Sequence, residues 1–280
     1  MKLQTEKDSL SAYGMELRQA ALILLCQSHP DDKALSVMQL WESWLAGHIQ
    51  IDLQGSLEVT GAIPGRPDKP ELVAPQQVER RSMRTAEGRA AMIHALAHIE
   101  FNAINLALDA IWRFPGMPPA YYADWLKVAA EEALHFSMLH DHLQGLGYSY
   151  GDFTGHDSLW EMVDRTSDDV LARMALVPRT MEARGLDASP PLRAKLAQAG
   201  DMKAAEILDI LLRDEIGHVA IGNYWYGWLC DRRGLEPVDT YARLTVQYRA
   251  PKLRGPFNFP ARRAAGFSEI ELNLLAQGQK

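Results

Sequence analysis

AAEEALHFSMLHDHL, residues 129–143, decides how this chain is read. It contains no proline or glycine, and its apolar residues recur at intervals of three and four, the period of a helix with one buried face. Within it, Glu132 stands three residues before His135. On a helix these positions share a face, so a carboxylate and an imidazole can meet at one point. RDEIGHVAIGNYW, residues 213–225, repeats the arrangement with Glu215 and His218.

Working outward, each pair has a glutamate upstream at nearly the same distance. Glu100 lies 32 residues before Glu132, and Glu182 lies 33 before Glu215. The plan of Glu followed by Glu-x-x-His thus occurs twice. The pairs taken singly could be exposed helical ion pairs worth a few tenths of a kcal/mol, but the repeated layout favours ligands. Together they supply four carboxylates and two imidazoles: Glu100, Glu132, His135, Glu182, Glu215 and His218. This is the donor set of a carboxylate-bridged dimetal site in a helical bundle. Two divalent ions offset the four negative charges, so such a set can be buried without a large charge penalty. Glu132 and Glu215 are the expected bridges. Iron, manganese and zinc all suit these ligands.

The rest of the chain reads as helices separated by proline and glycine. Long helices are expected over 85–113, 118–145, 157–185 and 201–233, stopping at Phe114-Pro115-Gly116, Gly145, Gly185 and Gly234. Pro178 should kink the third, and Asp187 to Pro191 should form a turn before a short helix near 191–199. These predict an all-α fold, a four-helix bundle over 85–235. Residues 1–84 form an extension with helices over 10–28 and 32–50, the latter capped by Asp31 or Asp32, and a proline-rich loop, GAIPGRPDKPELVAP, at 61–75. Residues 236–280 form a tail packing on the bundle, loop-like over 249–267 with a helix near 268–276.

The stretches GRAAMIHALAHIEFNAINLALD (88–109), AAEEALHFSMLHDHL, MEARGLD (181–187) and RDEIGHVAIGNYW resemble the ferritin-like superfamily of di-iron carboxylate proteins. Within it they are most similar to a bacterial ferritin-like family of unknown function. The resemblance implies that Glu131 and Asp214, each just before a Glu-x-x-His glutamate, orient the histidine of the opposite motif. It also implies iron as the metal at both positions, and an O2-activating oxidoreductase, an oxidase or hydroxylase, acting on a small organic substrate with electrons from a separate donor. The alternatives are a ferritin- or rubrerythrin-like metal protein and a helical module without turnover. A homodimer is compatible with any of these.

Composition limits the setting. Of 280 residues, 47% are apolar and 23% charged, which excludes a disordered chain. The net charge of −7 gives no global attraction for nucleic acid or an anionic membrane. The first residues, MKLQTEKDSL, lack an apolar signal core, and the two cysteines, Cys26 and Cys230, form no paired motif; both fit a cytoplasmic protein with reduced thiols. His94 and His98 project away from the Glu100 face and should pack. His140 and His142 should be at the surface, and His156 should anchor a loop. Arg249, Lys252, Arg254, Arg262 and Arg263 make a basic strip in the tail, read as solvated or as a place for an anion.

Overall fold

The computed structural model describes residues 16–59 and 61–278. Among them the chain is all-helical, without strands; isolated bridges join Glu16 to Gln50 and Leu72 to Gly155.

The N-terminal helices are α1 (Leu17–Cys26) and α2 (Pro30–Leu45). Residues 10–15 of the first expected helix lie outside the described residues. Helix α2 starts earlier than the sequence reading placed it, because Pro30 fits a first position that needs no N–H. Asp31 and Asp32 therefore sit in its first turn instead of capping it.

Three long helices follow the expected bounds closely: α3 (Ala86–Arg113), α4 (Pro119–Gly145) and α8 (Met202–Arg233). Asp201 caps α8, accepting the Ala204 N–H at 3.0 Å. Gly234 ends it in a left-handed turn, φ 62°, which glycine adopts without steric cost. Helix α3 is long and apolar enough to cross a membrane, but 72% of its most apolar window is buried in the fold, as in a core helix.

The third expected helix is different. It divides into α5 (Ser158–Arg165), α6 (Val170–Leu176), a π-helical segment (Val177–Glu182) and α7 (Ala183–Gln198). Pro178 brings no N–H, and here the chain widens: the Ala183 N–H donates to the Pro178 carbonyl five residues back. The stop at Gly185 and the turn over 187–191 are absent, and α7 continues through Pro190 and Pro191. Pro190 cannot donate to the Leu186 carbonyl, but Asn258 Nδ2 does so at 3.1 Å. The missing donor comes from far along the chain.

The tail carries α9 (Pro237–Gln247), α10 (Phe259–Ala264) and α11 (Glu269–Gln277), so the expected loop over 249–267 contains a helix. Ala261, Ala265, Phe267 and Leu272 from this tail form one core with Ala183 and Leu186 of α7 and Val219 of α8.

The chain divides into two compact units, and the division falls inside α3 and α4. The first unit holds the described residues up to Lys69 together with Glu100–Ser137. Its interior contains a fully buried lysine. Lys33 Nζ donates to the carbonyls of Leu25 and Gly65 at 3.1 and 3.0 Å and to Asn105 Oδ1 at 2.6 Å. The ammonium also lies 5.0 Å from the centre of the Phe101 ring, which packs on Phe136. Burial pulls the Lys33 pKa down to about 7.

The second unit holds Pro70–Ile99 and the residues from Met138 onward. There His94 and His98 do pack, as expected. The His156 carbonyl accepts from His98 Nε2 at 3.2 Å, so His98 Nδ1 accepts the Tyr150 O–H at 2.7 Å. His94 stacks on Tyr150 and accepts the Gly151 N–H at 2.9 Å. The two histidines thereby hold the loop over 148–156.

Candidate metal centre

Glu100 on α3 and Glu132 and His135 on α4 converge within the first unit. They are 4%, 0% and 0% exposed. One potential ligand atom from each lies within 4.8 Å of the others. His135 Nδ1 is 3.2 Å from Glu132 Oε2 and 3.6 Å from Glu100 Oε2. Two uninterrupted helices produce this: the i, i+3 step on α4 sets Glu132 beside His135, and α3 brings the second carboxylate.

The electrostatics are those of two carboxylates and an imidazole confined without water. Burial, then the neighbouring Glu132, push the Glu100 carboxyl up to about 8. Burial opposes a charge on His135, but the two carboxylates outweigh it and carry the imidazole up to about 12. Glu100 Oε2 is buried and receives no hydrogen bond. Two carboxylates and one imidazole, converging on one nitrogen and short of donors, suit a divalent cation of the borderline type.

The second trio lies within the second unit. Glu182 ends the π-helical segment, and Glu215 and His218 lie on α8. They are 7%, 9% and 0% exposed. His218 Nδ1 stands 3.9 Å from Glu215 Oε2, a looser pair than the one on α4. Helix α8 passes very close to the π-helical segment. A Cβ added at Gly222, one turn after His218, would lie 2.5 Å from Pro178 Cβ. Glu215 and His218 offer a buried carboxylate and a buried imidazole on α8, and the buried Glu182 carboxylate stands on a neighbouring element. Among the described residues no group of ligand atoms converging within 4.8 Å includes Glu182.

Glu131 and Asp214 each have a basic partner on their own helix. Glu131 lies 3.0 Å from Lys127 Nζ, and Asp214 lies 2.8 Å from Arg213 Nε. His140 and His142 are not the surface residues the sequence suggested. His140 is 9% exposed, and His142 Nε2 sits 3.0 Å from Asp201, the residue that caps α8. Two members of the basic strip are committed to the fold. Arg262 is fully buried against Asp187 at 2.6 Å, and Arg263 pairs with Glu269.

The sequence reading missed the buried cations Arg18, Lys33, Arg173 and Arg179. A lysine and three arginines inside helical stretches with apolar neighbours were the available signal, since charged residues are rarely buried without partners.

A family profile described as "Protein of unknown function (DUF455)" matches residues 26–273. A protein of Haemophilus influenzae, described as "Uncharacterized protein", is 49% identical over 257 residues, which cover 89% of each chain. No solved structure matches the chain.

Proposed function

The chain belongs to the DUF455 family, and from the residues of the site we propose that it is a dimetal carboxylate protein with O2-activating oxidase or hydroxylase activity. Glu100, Glu132 and His135 hold one ion, and Glu182, Glu215 and His218 the other. In this reading the long helices belong to a ferritin-like four-helix bundle, with α3, α4, the α6–α7 run and α8 as its members. Iron is the metal of choice, the substrate is a small organic molecule, and the electrons come from a separate donor. The protein works in the cytoplasm.

The observation that carries the reading is the first trio. Three buried ligating groups from two helices converge within 4.8 Å, and one buried carboxylate oxygen receives no hydrogen bond. Without a metal such a cluster is balanced by bound protons, which a divalent cation would displace. Two iron ions held by these residues would supply electrons to O2 in pairs. The chain's own part is to bind and to orient. His135 would offer Nδ1, the nitrogen beside both carboxylates. Burial of all six groups keeps water from competing for the ligand positions.

The test is anaerobic loading of the full chain with Fe(II), metal counting by mass spectrometry, and exposure to O2. About two irons per chain and rapid O2 consumption are expected. Failure to retain iron, manganese or zinc would overturn the reading. Deposition of many irons per chain would replace it with storage.

A further inference from the structure

Glu182 has charged and polar anchors on both sides along the chain, drawn from the C-terminal tail and from α8. Three residues before it, Arg179 is 3% exposed. Its Nη2 pairs with Glu271 on α11, and its Nε donates to Asn223 Oδ1 on α8 at 2.7 Å. Asn223 in turn donates to the Ala265 carbonyl in the tail at 2.6 Å. The guanidinium stands 4.6 to 5.1 Å from the ring centres of Tyr226, Tyr241 and Phe267. On the other side, Arg262 Nη2 donates to the Ala183 carbonyl at 3.2 Å and grips Asp187.

A π-helical turn is a marginal conformation, held where its surroundings over-determine it. Here those surroundings are identifiable. The buried guanidinium is planar and presents several donors at fixed angles, so it sets the direction of the backbone that carries it. The proposal below rests on the reading of Glu182 as a metal ligand.

We propose that Arg179, anchored by Glu271 on α11, is a positioning residue for Glu182, fixing the π-helical turn that presents this carboxylate to the metal. The C-terminal helix is then part of the metal centre without touching it. Supporting residues of this kind commonly change metal affinity by about 10- to 100-fold.

The experiment is an anaerobic Co(II) titration of the full-length chain, followed by the visible absorption of the bound ion, with bound metal counted by mass spectrometry. Wild type is compared with Arg179→Met, Arg179→Lys and Glu271→Gln, and urea unfolding of each variant reports the fold. Wild type should bind about two ions. Arg179→Met and Glu271→Gln should keep one ion at wild-type affinity and hold the other about 10- to 100-fold more weakly. Arg179→Lys should recover part of the loss, because it restores the charge opposite Glu271. Both ions at wild-type affinity in Arg179→Met, or equal weakening of both, would overturn the inference. If Arg179→Met does not fold, Glu271→Gln carries the same test from a position that is 15% exposed. Wild type without bound metal is a different result: the ligand reading itself fails, and this inference with it.

Discussion

The two trios use the same residue types at nearly the same spacing, yet the chain builds them differently. Glu100, Glu132 and His135 stand on two continuous helices, and the ion-pair distance on α4 is 3.2 Å. Glu182 stands at the end of a π-helical segment, and the equivalent distance on α8 is 3.9 Å. The first arrangement needs only two continuous helices packed together. The second depends on Arg179, Asn223 and a tail that begins more than fifty residues later. One pattern of candidate ligands can therefore rest on continuous helices or on long-range bracing, and the bracing is not visible in a sequence.

The largest expected effect tests whether both trios bind metal. Glu132→Ala and Glu215→Ala should each lose at least one of about two ions per chain, counted by mass spectrometry after iron-supplemented expression. Metal content unchanged in either variant would mean that its trio is not a ligand group.

A second test asks what underlies the first trio. Lys33→Met leaves the Leu25 and Gly65 carbonyls and Asn105 Oδ1 without their donor. A loss of about 2–4 kcal/mol in urea unfolding is expected. A stability equal to wild type would show that the buried ammonium contributes nothing to that unit.

The bracing of the second trio offers a smaller handle. Gly222→Ala forces a Cβ against Pro178, which should cost about 1–3 kcal/mol and weaken metal binding in the second trio more than in the first. Equal effects on both would erase the contrast between them.

The smallest effect concerns pH. Burial, then His98, hold the His94 pKa down at about 4, below its usual 6.5. Between those values the unfolded chain binds more protons, so this histidine's contribution to stability rises from pH 4 to pH 6.5 and is lost as the pH falls through that window. His94→Phe should flatten the part of the unfolding profile between pH 4 and 6.5 that this group causes. A variant as acid-sensitive as wild type would remove His94 from the account.

The legibility of the fold follows the same division. The bounds of α3, α4 and α8 were readable because their signals are local: apolar period, Pro119 at a start, Gly234 at a stop. The all-helical class followed from them. The run over 157–198 was misread because Gly185, Pro190 and Pro191 signal an end, while the donor that cancels the signal is Asn258. His142 was assigned to the surface because its partner, Asp201, lies 59 residues away. The six candidate ligands were legible as a pattern, and all six are buried. The π-helical turn under Glu182 was not, since Pro178 announces only that a helix is disturbed.

The bond from Asn258 to the Leu186 carbonyl has a consequence for the order in which the molecule matures. A polypeptide is made from its amino end, and early segments can fold before later ones exist. While α7 emerges from the ribosome, the acceptor opposite Pro190 has only water to bind. About seventy residues must still be synthesised before its permanent donor arrives, and a few more before Arg262 and Glu271 follow. The first trio can take shape on a growing chain. The second gains its braces only once Asn258, Arg262 and Glu271 have been made, so a chain cut short before Asn258 carries one candidate group on finished helices and one without its braces.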